Sequence, residues 1–137
     1  LHILIILAHN FKFMELKFYK CRHCGNVVVK LVDSNVPLVC CGEKMEELKA
    51  NTVEASVEKH LPVVEFPEKC TVKVRVGSAP HPMLPEHHIS FVCLETEDGV
   101  FTAEPKDVPE VVFHTCAKVK AAYEYCNLHG LWKTVVE

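Results

Sequence analysis

The segment Cys126-Asn127-Leu128-His129, near the end of the chain, holds a thiol and an imidazole separated by two residues. Both groups are strong ligands for transition metals, so the pair predicts a compact metal site. Three upstream histidines are available to join it, namely His60, His81 and His87. A separate cysteine set lies near the start of the chain: Cys21, Cys24, Cys40 and Cys41. Two ligand sets indicate two metal centres, one all-sulfur and one mostly imidazole, and together they favour iron redox chemistry.

The N-terminal cysteines follow a C-x2-C-x15-C-C pattern. Neighbouring cysteines such as Cys40 and Cys41 rarely bridge each other because the geometry strains the peptide, so they are better interpreted as thiolate ligands. Four thiolates suit a tetrahedral site for iron or zinc. A thioredoxin-like redox CxxC is the competing interpretation. It requires a βαβ context that the sequence lacks, and it leaves Cys40 and Cys41 unexplained.

Composition limits the possible function classes. The chain has 137 residues, a net charge of −3 and 24% charged residues, which is typical of a globular protein. It has no basic stripe, so we expect no nucleic-acid partner. Its short apolar N-terminal run cannot span a bilayer, so we expect no membrane partner. From residue 50 onward, 13 acidic residues outnumber 8 basic ones, so a small anion would need a local cation to attract it.

The remaining cysteines, Cys70, Cys93 and Cys116, lie in or beside apolar strand-like runs. Free cysteine usually behaves as a small buried hydrophobe, so we expect all three in the core. Thiolate ligands in place of a disulfide framework predict a reducing compartment, and hence a cytoplasmic location.

Three segments are predicted along the chain. Residues 1–13 are interpreted as a non-native or extended N-terminal segment, since Met14 is a natural start; a genuine N-terminal strand is the alternative. Residues 14–49 form a metal-binding module too small to hold a core of its own, so a metal must supply much of its stability. Residues 50–137 form a second domain.

Short strands dominate the second domain. Thr71–Val76 alternates apolar and polar residues at period two, the pattern of a half-buried strand. Asp98-Gly99 predicts a hairpin turn. No stretch has convincing helical periodicity, so the architecture predicted is an all-β sandwich. Further strands are expected at 89–94, 100–103, 111–114, 119–125 and 131–136.

Four separated segments stand out in the second domain: Glu58-Lys59-His60-Leu61-Pro62, then Gly77-Ser78-x-x-His81-Pro82-Met83, then His87, then Cys126-Asn127-x-His129-Gly130-Leu131-Trp132. Together they resemble the superoxide reductases, and with the N-terminal cysteine module the two-centre desulfoferrodoxins. The resemblance runs from Met14 to the C-terminus. It implies a desulforedoxin-like module followed by an immunoglobulin-like β-sandwich, assembled as a homodimer.

The resemblance also implies how the second centre works. His60, His81, His87 and His129 would be equatorial ligands of one iron, and Cys126 its axial ligand, with the sixth position open. His87 is preferred to its neighbour His88, because adjacent residues of a strand point to opposite faces. Lys59 would attract superoxide, and Glu58 would close the sixth position after turnover. His2, His9, His23 and His114 match no ligand position.

The predicted function is therefore one-electron reduction of superoxide to hydrogen peroxide. The resemblance implies two irons per chain, with iron or zinc at the cysteine centre, and an electron donor such as rubredoxin. Two alternatives remain open. One is a non-enzymatic electron carrier that uses the cysteine centre. An electron carrier needs no open coordination position, so the open position implied at the second centre argues against it. The other is a structural zinc-binding module, which visible colour in the purified protein would exclude.

Overall fold

The computed structural model describes residues 16–137. The interpretation of residues 1–13 concerns a segment that lies outside the described residues. The chain separates after Leu48 into two compact units. Among residues 16–137, no helix has the length and apolar character needed to cross a membrane.

The first unit is built from five very short strands. Strand β1 lies at the centre of a three-stranded antiparallel sheet with β2 and β5, and β3 pairs with β4 as a separate ribbon. Among the described residues of this unit, only Phe18 and Cys21 are buried. A core this small cannot offset the entropy of ordering the segment, so stabilisation of this unit by a metal stays a prediction. The strands are β1 Phe18–Lys20, β2 Val27–Val29, β3 Val39–Cys40, β4 Glu43–Lys44 and β5 Glu46–Glu47.

The second unit is a sandwich of two antiparallel sheets. One sheet has the strand order β10-β7-β6 and the other β12-β11-β8-β9. The buried cluster between them draws side chains from both sheets, including Val74, Leu94 and Ala122. A short helix, α1 Val57–His60, precedes the strands β6 Pro62–Glu68, β7 Thr71–Val76, β8 Ile89–Thr96, β9 Val100–Ala103, β10 Glu110–His114, β11 Val119–Cys126 and β12 Gly130–Val135.

The sequence patterns predicted much of this unit. Strand β7 alternates buried valines with half-buried Lys73 and Arg75, as its period of two requires. The turn at Asp98-Gly99 joins β8 to β9. The predicted all-β fold class is confirmed, with helix α1 as a four-residue addition.

One prediction about the core is wrong. Cys93 is buried as expected, but Cys70 and Cys116 form a disulfide and do not pack in the core. Cys70 occupies the turn between β6 and β7, and Cys116 follows β10. The pairing of β7 with β10 brings these positions together across 46 residues of sequence, which no local pattern reveals.

Candidate metal centres

The four cysteines of the first unit converge on one point. Their sulfur atoms all lie within 4.8 Å of one another, with the Cys24 and Cys40 sulfurs 3.6 Å apart. A tetrahedral ion with metal–sulfur bonds of about 2.3 Å would separate its ligands by about 3.8 Å. Two turns deliver the sulfurs: Gly25 adopts a φ of 82° after the first pair, and Cys41 itself has a φ of 53°.

The electrostatics of this cluster favour a bound cation. Backbone amides, above all that of Cys24, lower the pKa of Cys21 to about 6. The neighbouring sulfurs, Cys21 foremost, raise the pKa of Cys41 to about 12, since crowding negative charge is unfavourable. One thiol therefore ionises readily while another resists. A metal ion with two or three positive charges removes this conflict by binding all four as thiolates.

A charged clamp joins the two cysteine turns. Arg22 and His23, within the first turn, both pair with the Glu43 carboxylate beside the second. These groups hold the pKa of Glu43 below its usual range, with His23 the largest influence. Nothing in the sequence pattern assigned His23 a role, because the clamp depends on how the two turns meet.

The second candidate centre lies at one end of the sandwich. Ligand-type atoms of His60, His87, Cys126 and His129 all lie within 4.8 Å of one another. His81 lies outside that group, but its ring centre is 4.9 Å from that of His60 and 4.6 Å from that of His87. Helix α1, the β7–β8 connection, the end of β11 and the turn that follows β11 supply these residues.

Hydrogen bonds fix which ring nitrogen His60 and His81 can offer. The Nδ1 atom of His60 donates to the Ser56 carbonyl at 2.7 Å, and that of His81 donates to the Pro82 carbonyl at 2.7 Å. Each ring is therefore left with a lone pair on Nε2. The Nε2 atoms of His81 and His87 are buried without a hydrogen-bond partner among residues 16–137. Such orphaned acceptors are costly unless a cation satisfies them.

The remaining distances also fit a cation. The His60 Nε2 and His129 Nδ1 atoms are 3.1 Å apart, close to the spacing of adjacent nitrogens bound at right angles to one ion at about 2.1 Å. Burial lowers the pKa of His81 to about 4 and also lowers that of His60. The rings of His60 and His81 are therefore neutral near pH 7, as ligands must be.

Cys126 is fully buried at the end of β11. Burial raises the pKa of its thiol, although the backbone amides of Leu128 and His129 oppose that shift. The His129 amide donates to its sulfur at 3.4 Å. Amides aimed at the sulfur prepare it for negative charge, and a cation is needed to complete the ionisation.

Two residues of the Cys126–Trp132 motif to which the sequence assigned no role hold the cluster in place. The Trp132 ring stacks on His60 with centres 4.9 Å apart, and its indole N–H donates to the His129 carbonyl at 3.1 Å. The Asn127 side chain accepts from the His88 amide at 2.8 Å and donates to the Glu86 carbonyl at 3.0 Å. Asn127 thus ties the loop that carries His87 to the turn between β11 and β12.

His87 and His88 lie in different surroundings, but the cause is not the strand alternation that the sequence suggested. They precede β8 and lie at a turn, where His87 pairs with Leu84. The His87 ring joins the cluster, whereas the Nδ1 atom of His88 lies 3.0 Å from the Leu84 carbonyl and 3.1 Å from that of Pro85. Local turn geometry, not strand alternation, makes the distinction.

Glu58 and Lys59 lie exposed on α1, directly before His60. The Ser56 side chain bonds to Glu58 and lowers the pKa of its carboxyl. Lys59 acts on the cluster through its charge, which helps to lower the pKa values of His60 and His87. Lys59 is therefore an exposed cation close enough to His60 and His87 to influence their charge.

Gly77 positions this charged pair. It has a φ of 80°, and a Cβ there would lie 2.6 Å from the carbonyl oxygens of Glu58 and Ala79. The Gly77 amide donates to the Leu61 carbonyl at 2.9 Å, and the Ala79 amide donates to that of Glu58 at 2.9 Å. The approach of this backbone to α1 requires glycine.

A buried carboxyl lies in the same strand as the cluster cysteine. Glu124 is fully buried, and neither of its oxygens has a hydrogen-bond partner among the described residues. Burial raises its pKa to about 9, so the carboxyl is neutral near pH 7. Its position was not marked by the sequence, because strand β11 reads as an ordinary alternation.

These observations define a small metalloprotein with two separate candidate centres on an all-β scaffold. Family comparison gives its membership. Residues 14–48 match the family model for the desulfoferrodoxin N-terminal domain, and residues 52–135 match that for desulfoferrodoxin. The chain belongs to the desulfoferrodoxin family, which confirms the resemblance seen in the sequence.

Individual relatives agree. The chain is 42% identical to the desulfoferrodoxin of Desulfarculus baarsii, over 87% of this chain and 95% of that protein. It is 38% identical to the superoxide reductase of Pyrococcus abyssi, over 58% of this chain and 87% of that one. The crystal structure of the superoxide reductase from Treponema pallidum superposes with a TM-score of 0.74 at 40% identity, covering 88% of this chain and 98% of that one.

Proposed function

We propose that this protein reduces superoxide to hydrogen peroxide at the imidazole–thiolate cluster of its second unit. The reaction consumes one superoxide, one electron and two protons. The observation that carries the proposal is the pair of buried, unpartnered Nε2 atoms on His81 and His87, beside the ligand atoms of the other three predicted ligands. Five donors exceed the four that a structural zinc ion takes, which favours iron over the zinc-module alternative.

Iron bound by His60, His81, His87, His129 and Cys126 would supply the electron, and the thiolate would increase its electron donation to a ligand. The chain's own residues do the rest. Ser56 and Pro82 carbonyls hold His60 and His81 in the tautomer that directs Nε2 inward. The stacked Trp132 covers one side of His60 and limits the access of water there.

Lys59 provides the local cation that an acidic domain needs to attract superoxide. Its ammonium lies on the exposed face of α1 and already influences the charge on His60 and His87. It can also donate a proton, directly or through water, to the reduced oxygen species. Glu58, at present bonded to Ser56, is the carboxylate that would close the open position after turnover.

The finer assignments follow from the same proposal. Cys21, Cys24, Cys40 and Cys41 would hold a second iron or a zinc ion. The exposed apolar residues Leu31, Val32 and Val36 of the first unit support a homodimer, because such a patch is normally covered. We propose a cytoplasmic location, since free thiolate ligands need a reducing compartment, and a one-electron donor such as rubredoxin.

Substitution of the two neighbouring histidines tests the function directly. His87→Ala removes a ligand, so iron at the second centre and superoxide reduction should both be lost. His88→Ala is the matched control and should keep both, since the Nδ1 atom of its ring lies beside two turn carbonyls and its ring is not part of the ligand cluster. Metal analysis and pulse radiolysis provide the measurements. If His87→Ala reduces superoxide as fast as His88→Ala does, the proposed centre is wrong.

A further inference from the structure

The Cys70–Cys116 pair is a redox-capable site outside both metal centres. Backbone pairing brings the two residues together: His114 lies opposite Thr71 at the end of the β7–β10 ladder, and the Thr115 amide donates to the Cys70 carbonyl at 3.0 Å. These bonds do not depend on the sulfur–sulfur link. The two thiols therefore remain neighbours when the disulfide is reduced, and can re-form it without rearrangement of the strands.

Access distinguishes this pair from the other unligated cysteine of the unit. Cys116 is exposed and Cys70 is partly exposed, whereas Cys93 is buried. Burial also raises the pKa of Cys93 to about 12, which leaves it inert. Lys69 precedes Cys70 directly, and Lys118 lies two residues beyond Cys116. Glu68 lies two residues before Cys70, so the local sequence is mixed in charge, and it is exposure that makes Cys116 available to an oxidant.

The pair lies at the opposite end of the sandwich from the imidazole cluster. Strand β6 begins two residues after His60 and ends two residues before Cys70, and its seven residues span about 20 Å. Strand β11 likewise begins three residues after Cys116 and ends at Cys126. The disulfide is therefore too far away to ligate the metal or to shape its ligands.

We propose that Cys70 and Cys116 form a peroxide-responsive dithiol, which hydrogen peroxide converts into a disulfide that locks the sandwich. The exposed Cys116 thiolate attacks one oxygen of hydrogen peroxide, breaking the O–O bond and giving a sulfenic acid and hydroxide. The Cys70 thiol then attacks the sulfenic sulfur, forming the S–S bond and releasing water. In total, two thiols and one hydrogen peroxide give one disulfide and two waters, a two-electron exchange. A dithiol reductant reverses it.

The oxidant is the product of the proposed reaction, and in this respect the inference rests on the proposed function. The disulfide joins the β6–β7 turn to the segment that leads into β11, so it closes a long loop of the chain. Closing such a loop restricts the unfolded chain and stabilises the domain. The catalytic unit would become more stable when superoxide reduction is generating peroxide. The rate of superoxide reduction at the distant cluster would stay the same.

The test begins with full-length, metal-loaded protein reduced by a dithiol and desalted without oxygen. Stoichiometric hydrogen peroxide should block alkylation of Cys70 and Cys116 together and yield a cross-linked peptide, while Cys93 stays alkylatable after denaturation. The melting temperature should rise by about 10 °C or more, and a dithiol should return it to the starting value. Cys116→Ser should remove the rise and leave the rate of superoxide reduction unchanged, whereas Cys93→Ala should retain the rise.

Three results would overturn the proposal: thiols at both positions that survive peroxide, a disulfide that a dithiol cannot reduce in the folded protein, or a Cys116→Ser variant that still gains stability. Peptide mapping of the wild type decides the matter even if a variant folds poorly. Added peroxide tests the site without superoxide chemistry. If added peroxide forms the bond but a superoxide source does not, the proposed function fails and the dithiol site stands.

Discussion

The two candidate centres differ in what holds their ligands in place. In the first unit the sulfurs lie on short turns, Cys24 and Cys41 are exposed, and only two described residues are buried. In the second unit the cluster rests on a packed sandwich, where His60 is 2% exposed and Cys126 0%. We therefore expect the first unit to need its metal in order to fold, whereas the second unit has a packed fold that positions its ligands.

The largest expected effect comes from removing the buried sulfur of the second centre. Cys126→Ser should lower the rate of superoxide reduction by at least about 100-fold, because a hydroxyl is a poor replacement for a thiolate donor. The thiolate-to-iron absorption band should disappear, and the first centre should keep its metal. Stopped-flow kinetics and metal analysis measure these effects. A variant with normal activity would show that Cys126 is not a ligand.

A cysteine-to-serine substitution in the other unit tests the first centre. Cys40→Ser should release its metal and make residues 16–48 susceptible to proteolysis, since little else stabilises that unit. Superoxide reduction should persist, because every predicted ligand of the second centre lies in the sandwich. Cys93→Ser, which changes a cysteine outside both centres, is the control for thiol loss. If activity falls in a Cys40→Ser protein whose sandwich is intact, the first centre is an obligatory electron relay.

Gly77 offers a way to disturb the second centre through its scaffold. Gly77→Ala places a Cβ against the Glu58 and Ala79 carbonyls, so it should destabilise the sandwich by about 3 kcal/mol or more. Gly130→Ala is the matched control: its φ is also 80°, but the Cβ meets only Val53 at 3.6 Å. That change should cost about 1–2 kcal/mol. Chemical denaturation measures the free energy of unfolding of both variants. Equal losses would show that the close backbone contact at Gly77 adds nothing to the cost of the substitution.

Much of the sandwich and most of the cluster could be predicted from the sequence. Period-two patterns marked strands such as β7, and short motifs marked His60 and Cys126 as candidate ligands. The Cys70–Cys116 disulfide could not be predicted, because strand register creates it. The supporting contacts of Asn127 were hidden for a similar reason, since they join segments about 40 residues apart. Helix α1 has four residues, too few to show a helical period.

The smallest expected effect concerns approach of the substrate. Lys59→Ala should slow the bimolecular reaction with superoxide by about tenfold and leave the iron spectrum unchanged, because the lysine attracts the anion without binding metal. The wild-type rate should fall as salt rises, and the variant should lose most of that dependence. Lys69→Ala, at the far end of β6, controls for net charge. Pulse radiolysis over a salt series measures both rates; equal salt dependence in the Lys59 and Lys69 variants would exclude steering by Lys59.

Hydrogen exchange of the metal-free protein tests the central contrast most directly. After both metals are chelated, amides of residues 16–48 should exchange at nearly the rate of an unfolded chain. Amides of β7, β8 and β11 should keep strong protection, since the core between the sheets is built from apolar side chains such as Val74, Leu94 and Ala122, to which the proposed ligand Cys126 adds only one residue. Loss of protection in those strands would contradict this contrast, because it would show that the sandwich also needs its metal to fold.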